Sequence, residues 1–276
     1  MPTTIAQKRA EFYRLHRSGC FVMPNPWDVC SAVYLQSLGF KAIASTSAGF
    51  AWTVGCEDNT VTRDQVLAYL RKLVAAVDIP VNADFEGSFA HDPEGVAANV
   101  TLAVEAGVAG LSIEDYTGDD ANPLYAINHA VARIKATRAA IDATGADVLL
   151  TARTESMLFG KTELAPIIHR LQLFAEAGAG RLFAPVVRNP EDIRAVVASV
   201  SAMPVNIMGA YPELSIQTLA SLGLRRISTG GALARSAWNS FMARATELAE
   251  KGTITSLAQV MSNAQINKVF SDVKVR

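Results

Sequence analysis

The stretch Val81-Asn82-Ala83-Asp84-Phe85-Glu86 is a short, largely apolar run that ends in charge. Two more of its kind follow, Leu111-Ser112-Ile113-Glu114-Asp115 and Leu149-Leu150-Thr151-Ala152-Arg153-Thr154-Glu155. A strand buried on both faces reads as near-continuous apolar residues, and an ionisable group at its end is costly to desolvate unless a ligand, a metal or an opposite charge compensates it. Three such strands are expected to converge on one polar pocket. Asp and Glu from separate strands suit a hard divalent cation, and an arginine from the next strand suits the carboxylate or oxyanion of an anionic substrate.

Outward from these runs the chain repeats one rhythm: an amphipathic stretch, a glycine, then a short β-rich run. Leu38-Gly39-Phe40 precedes Ala42-Ile43-Ala44, and Glu105-Ala106-Gly107 precedes Gly110-Leu111-Ser112-Ile113. Ala177-Gly178-Ala179-Gly180 precedes Arg181-Leu182-Phe183-Ala184, and Leu222-Gly223-Leu224 precedes Arg226-Ile227-Ser228, glycine supplying the left-handed helix cap each time. Residues 21–23, 81–84, 148–152 and 204–207 bring the set to eight candidate strands. Helical periodicity fills the intervals over 62–77, 92–106, 124–144, 161–177, 189–200, 214–222 and 232–251. Eight βα units predict an α/β fold, a (β/α)8 TIM barrel, in preference to a doubly wound open sheet, because no early Gly-x-Gly-x-x-Gly opens the first helix. A helix over 4–17 precedes the barrel, and helices over 255–263 and 265–272 follow it. No linker or low-complexity tract divides residues 1–276, so one barrel domain is expected, with 253–276 as a C-terminal helical extension.

Composition narrows the function. Half of the 276 residues are hydrophobic and 18% are charged, which suits one large core and excludes a disordered chain. The formal net charge of -1 provides no basic field, so nucleic acid and anionic lipid are excluded as partners. Residues 1–19 carry Lys8, Arg9, Glu11, Arg14 and Arg17 and lack a signal-peptide core, and no apolar run is long enough to span a bilayer. Three cysteines without metal-type spacing suit a reducing, cytoplasmic setting.

In a barrel of this type the active groups sit at the carboxyl ends of the strands. Asp84 and Glu86 share a side if the chain is still extended there, and Glu114 and Asp115 end the next strand. Magnesium takes one or two carboxylates directly and keeps waters that other acids hold, so Asp84 is the candidate direct ligand. Asp28, Asp64 and Asp92 stand at helix starts and read as caps. Arg153 reads either as a substrate ligand or as a counter-ion for the acids.

Further motifs extend the pattern: Asn25-Pro26-Trp27-Asp28, Ser45-Thr46-Ser47-Ala48 and Gly55-Cys56-Glu57-Asp58. Together with Asp84-Phe85-Glu86-Gly87, Ile113-Glu114-Asp115 and Ala152-Arg153-Thr154-Glu155, they make nearly the whole chain resemble the isocitrate lyase and phosphoenolpyruvate mutase superfamily. The resemblance implies Mg2+, with Mn2+ as an alternative, contacted by Asp84 and held through waters by Asp58, Glu86 and Glu114. It implies a 2-oxo acid or dicarboxylate as the small-molecule partner, touched by Arg153 and bound at its carboxylate near Ser45, Thr46, Ser47 and Ala48, with Asp84 and Asn206 in the same substrate-binding set. The metal would chelate the keto oxygen and a carboxylate oxygen and draw electrons toward an enolate as the neighbouring bond breaks. Carbon-carbon cleavage or decarboxylation is the expected reaction.

Departures from the family bear on the reaction. Where its lyases carry a loop with Lys-Lys-Cys-Gly-His, this chain reads Tyr116-Thr117-Gly118-Asp119-Asp120-Ala121-Asn122-Pro123-Leu124-Tyr125 and has no cysteine. Asn122 matches the asparagine of phosphonopyruvate-type members, and Asp120 stands where they have lysine, which would repel a phosphonate. After the seventh strand, Asn206-Ile207-Met208-Gly209-Ala210-Tyr211-Pro212 lacks the Thr and Glu of tricarboxylate-cleaving members, so a smaller substrate such as a dicarboxylic oxo acid is expected. Tyr211 is either a replacement proton donor or wall packing. Arg153, Asn122 and Tyr211 are thus the catalytic candidates, and two rivals stand: a catalytically silent barrel that binds a 2-oxo acid, and phosphorus-carbon hydrolysis.

His91 and His129 read as exposed or satisfied side chains. Thr229-Gly230-Gly231 is either a phosphate-binding turn or a tight turn only. Neighbouring acids discourage a nucleophilic Cys56. Leu257, Val260, Met261, Ile266, Val269 and Phe270 recur near helical spacing and predict a homo-oligomer, dimer or tetramer, packed through the C-terminal helices.

Overall fold

The runs that end in charge are strands. The computed structural model describes residues 2–200, 203–209 and 214–272. Its strands are β1 (Phe21–Met23), β2 (Ile43–Ala44), β3 (Val81–Asp84), β4 (Gly110–Glu114), β5 (Leu149–Arg153), β6 (Arg181–Phe183), β7 (Val205–Met208) and β8 (Arg226–Ser228). All pair in parallel, in the order β1-β8-β7-β6-β5-β4-β3-β2. The two ends of that ladder meet where Ala44 N–H donates to Pro24 O (3.1 Å) and Asn25 Nδ2 donates to Ser45 O (2.7 Å). The result is a nearly closed (β/α)8 barrel.

The helices are α1 (Ile5–Leu15), α2 (Val29–Ser37), α3 (Ser47–Thr53), α4 (Arg63–Ala76), α5 (Pro93–Glu105), α6 (Ile127–Ala143), α7 (Leu164–Glu176), α8 (Pro190–Ser199), α9 (Ile216–Ser221), α10 (Ala232–Lys251) and α11 (Asn263–Asp272). Their starts follow from capping chemistry. Asp28 accepts from Ser31 N–H (2.7 Å), Asp92 accepts from Gly95 N–H (2.7 Å), and Asp64 lies in the first turn of α4. Gly39 and Gly107, at φ 87° and 90°, take the left-handed turn into β2 and β4 that a side chain would oppose. The short α3 is an insertion between β2 and α4.

Strand alternation sorts the residues into two layers. Val81, Ala83, Leu111, Ile113, Leu150 and Ala152 pack into one core with helical residues such as Leu70, Val100, Ile134 and Phe174. Asn82, Asp84, Ser112, Glu114, Thr151 and Arg153 are the alternate residues and face the barrel interior. Arg226 fixes that direction, because its Nη2 reaches Thr151 Oγ1 (3.3 Å) on a strand that is not its neighbour. Burial, then Arg181, lowers the Arg226 pKa to about 9. Phe12 from α1 packs with Met23, Ala42, Ala44 and Leu149 to close the other end of the barrel. His16 stands edge-on to Phe12 and Phe21, and burial drops its pKa to about 3, so it is neutral.

Beyond the barrel, α10 leaves Phe241 (60%) and Met242 (55%) largely exposed. A 3-10 turn over Thr255–Gln259 and then α11 follow. Leu257, Val260, Met261 and Ile266 are exposed, while Val269 and Phe270 are half-buried. Among the described residues, no helix is long and apolar enough to cross a membrane.

Candidate active site

Asp84 is held from three directions. Its own N–H donates to Ser45 Oγ (2.8 Å), its Oδ2 accepts from Ser47 N–H at the start of α3 (3.1 Å), and its Oδ1 accepts from Arg153 Nη1 (3.3 Å). Register places Glu114 directly beside Arg153 across β4 and β5, with Glu114 Oε2 3.5 Å from Arg153 Nη1. Arg153 Nε donates to Glu155 Oε1, and the guanidinium lies 5.0 Å from the centre of the Phe183 ring. Burial alone would lower the Arg153 pKa, but Glu155, Glu114 and Asp84 outweigh it and raise the pKa.

Glu86 follows in a strained turn. Its φ is 47°, and Ser88 and Phe89 are also left-handed at 61° and 56°. Three donors hold this segment: Arg133 Nη2 to Gly87 O, Arg133 Nη1 to Ala90 O and His91 O, and Asn99 Nδ2 to Ser88 O. Glu86 is buried with no partner for Oε1. Burial, then Asp84 and Asp58, pushes its carboxyl up to about 8, and Arg153 offsets only part of this. Burial also raises Glu114 well above the usual carboxylate range despite Arg153, with Glu155, Asp84 and Glu86 adding to the rise. Asp58 stands on the exposed rim with Asn59 N–H on its Oδ1 (3.1 Å), and desolvation followed by Asp84 raises its pKa.

Acids therefore outnumber cations here: Asp58, Asp84, Glu86, Glu114 and Glu155 surround the single guanidinium of Arg153. A hard divalent cation fits this oxygen-rich, negatively charged donor set and would neutralise it. Among the described residues no group of at least three His, Cys, Asp or Glu side chains is placed to hold a metal. A cation here would rest on one or two carboxylates and complete its shell with water, as magnesium does.

One cavity of about 570 Å³ joins Ser47, Asp58, Glu114, Arg153 and Glu155 to an outer wall of Tyr116, Asp120, Leu158 and Phe159. A smaller one of about 240 Å³ adjoins it, lined by Glu86, Glu114, Tyr116, His91 and Tyr125. Another, about 540 Å³, opens between the starts of α6 and α7 and contains none of the acids that surround Arg153.

Asp58, Asp84, Glu86, Glu114, Arg153 and Ser47 are thus brought together, and the other candidates are placed differently. The Ser45 hydroxyl is taken up by the Asp84 backbone, and Thr46 caps α3 with Ala48 in its first turn. Asn206 is buried, donates to Ser228 Oγ (3.0 Å) and is absent from the cavity lining. Asn122 is exposed and turned onto Asp119, its Nδ2 3.2 Å from Asp119 Oδ2, so the loop keeps it away from the acids. Tyr211 lies outside the described residues. His91 and His129 are satisfied by Tyr125 Oη and His91 O. Thr229 and Gly230 donate their N–H groups to Asn25 Oδ1, which makes that segment a structural turn.

Two supports, Arg133 and Arg170, escaped the sequence reading, and a third, Asp115, was read there only as a strand-end acid. Asp115 is buried and accepts from Glu155 N–H (2.8 Å), Thr154 Oγ1 (2.9 Å) and Arg170 Nη1 (3.1 Å), which fixes the chain just past Arg153. Arg170 and Arg133 reach these places from α7 and α6. A charged arginine within the buried face of Ala130, Ile134, Thr137, Ala140 and Ile141 was the available signal for Arg133.

An eight-stranded parallel barrel with buried acids and an arginine gathered at the carboxyl ends of adjacent strands is an enzyme architecture. The profile of the family described as phosphoenolpyruvate phosphomutase matches residues 12–249, and the chain belongs to the PEP mutase/isocitrate lyase superfamily, whose members are lyases and mutases. It is 29% identical over 269 residues to 2-methylisocitrate lyase of Salmonella typhimurium, covering 90% of this chain and 88% of that one. An uncharacterized protein of Mycobacterium tuberculosis is 31% identical over 222 residues, 79% of this chain and 81% of that protein. Among solved structures, a lyase/mutase from Burkholderia cenocepacia J2315 superposes with a TM-score of 0.92 at 42% identity, covering 97% of each chain. The 2,3-dimethylmalate lyase structure gives 0.84 at 25% identity, over 98% of this chain and 95% of that one.

Proposed function

We propose that this protein is a Mg2+-dependent lyase that breaks a bond next to the 2-oxo group of a small carboxylic acid, with carbon-carbon cleavage or decarboxylation as the reaction. The observation that carries this is the convergence of Asp84, Glu114 and Arg153 from β3, β4 and β5, with Glu86 and Asp58 beside them. Asp84 would hold the cation directly and Asp58, Glu86 and Glu114 through its waters, and the cation would supply charge for a developing enolate. Arg153 binds the substrate carboxylate or the developing oxyanion with a planar fork that its neighbouring acids orient. Asp115 and Arg170 keep that fork in place. Tyr116 stands at the cavity in the loop after β4, and its hydrogen bond to Asp120 pushes its pKa up to about 12, so it keeps its proton at neutral pH.

Asn122, turned onto Asp119, and Asp120 on the cavity wall weigh against phosphorus-carbon hydrolysis. The whole chain acts as one barrel unit with 253–276 as an extension, and the exposed apolar residues of α10 and α11 pack on a second copy. Three free cysteines suit the cytoplasm.

The test is a product assay with oxaloacetate, 2-methylisocitrate, isocitrate and phosphonopyruvate, each with Mg2+ and with a chelator. Mg2+-dependent release of a 2-oxo acid or CO2 from one of the carbon acids supports the lyase. Tight binding without turnover would identify a silent binding barrel instead.

A further inference from the structure

The cavity has two unlike ends. Its inner end holds the charged groups already described, and Arg153, the one cation among the described lining residues, lies against Glu155, Asp84 and Glu114 there. The outer end is built by Tyr116 stacked on Phe159, with ring centres 4.8 Å apart and planes 16° from parallel, together with Leu158, Gly118, Asn59 and Thr60. Asp120 completes this wall and is fixed by the Tyr116 hydroxyl at 2.7 Å from its Oδ1. Among the described residues that line this cavity, none at the outer end is a lysine, arginine or histidine; His91 lines the adjoining smaller cavity, where its Nδ1 meets Tyr125 Oη.

We infer that the substrate carries an uncharged, largely apolar substituent beyond its 2-oxo acid head, an alkyl or aryl group in place of a second carboxylate or a phosphonate. This rests on the reading of the site as one for 2-oxo acids, departs from the dicarboxylate expected from the sequence, and removes decarboxylation in favour of the other carbon-carbon cleavage, because enolate-forming loss of CO2 would need that second carboxylate. A distal carboxylate would be desolvated against Phe159 and Leu158 with no cation among the described lining residues to receive it, and Asp120 and Asp58 would repel it. An alkyl group there loses only water. Burying it against the Tyr116–Phe159 stack should tighten binding roughly fourfold per methylene, and an aryl group would add stacking.

The probes are pyruvate, 2-oxohexanoate, phenylpyruvate and 2-oxoglutarate, titrated calorimetrically into the full-length protein with Mg2+ present. 2-Oxohexanoate and phenylpyruvate should bind at least about tenfold more tightly than 2-oxoglutarate, and more tightly than pyruvate. Asp120→Lys, a change on an exposed loop, should then shift the ratio of 2-oxoglutarate to 2-oxohexanoate affinity by about tenfold or more toward 2-oxoglutarate. If pyruvate binds but 2-oxoglutarate is preferred over 2-oxohexanoate, or if Asp120→Lys leaves the ratio unchanged, the inference is overturned and the 2-oxo acid site stands. If none of the four binds, pyruvate included, both fall together.

Discussion

Replacing Glu86 with glutamine separates the site's charge from its shape. In the cation-free protein this carboxyl is buried, one of its oxygens has no partner, and its pKa stands at about 8 against an ordinary value of 4.5. The shift is upward, so the stability tied to this group is fully present below about pH 4.5 and is lost as pH rises through about 8. At about 1.4 kcal/mol per pH unit, going from about pH 5 to about pH 8 removes roughly 4 kcal/mol. For a chain of this size, that lowers the melting temperature by on the order of 10 °C. Glutamine keeps the volume and has nothing to ionise. With a chelator present, Glu86→Gln should melt close to wild type near pH 5 and well above it near pH 8. Adding Mg2+ near pH 8 should then raise the wild type more than the variant. Equal pH slopes for the two proteins in the chelator would refute the reasoning, because Glu86 would then not be the carboxyl that burial and its acidic neighbours penalise.

At Arg153, lysine keeps the charge and loses the planar fork, so Arg153→Lys should lower turnover by about a hundredfold or more while moving the melting temperature far less; early melting with unchanged 2-oxo acid affinity would make Arg153 a structural counter-ion. Arg133→Met would strip the donors from Gly87, Ala90 and His91 and should destabilise the fold by about 3 kcal/mol or more, with Mg2+ affinity falling as Glu86 loses its support; urea melts and calorimetry would show both, and wild-type values in both would remove the positioning role. The exposed apolar residues of α10 and α11 predict a dimer or tetramer, and light scattering that gives the monomer mass at micromolar concentration would contradict it.

What the sequence made legible follows from which interactions are local. Helix ends were readable because Asp28, Asp92 and the glycines before the strands act on backbone a few residues away. The strand-end acids were readable because burial makes charge at those positions conspicuous. By contrast, α3 is one short stretch containing Gly49 and Thr53, with little periodicity to detect. Asn122 fitted a family position by spacing alone, and spacing does not show that Thr117 Oγ1 and Asp119 fold that loop onto itself. Arg133 and Arg170 were hidden for a related reason: their partners at Gly87, Ala90 and Asp115 lie about forty or more residues away, so only the closed barrel brings them together.

The central claim is that Asp84 and a divalent cation together present an anionic 2-oxo acid to Arg153. The most direct measurement is calorimetric titration of oxalate, a planar stand-in for the pyruvate enolate, into wild type and Asp84→Ala, each with Mg2+ and with a chelator. The account predicts binding to wild type with Mg2+, loss of that binding in the chelator, and loss in Asp84→Ala under both conditions. Oxalate binding of equal strength with and without the cation, or in Asp84→Ala as in wild type, would contradict it.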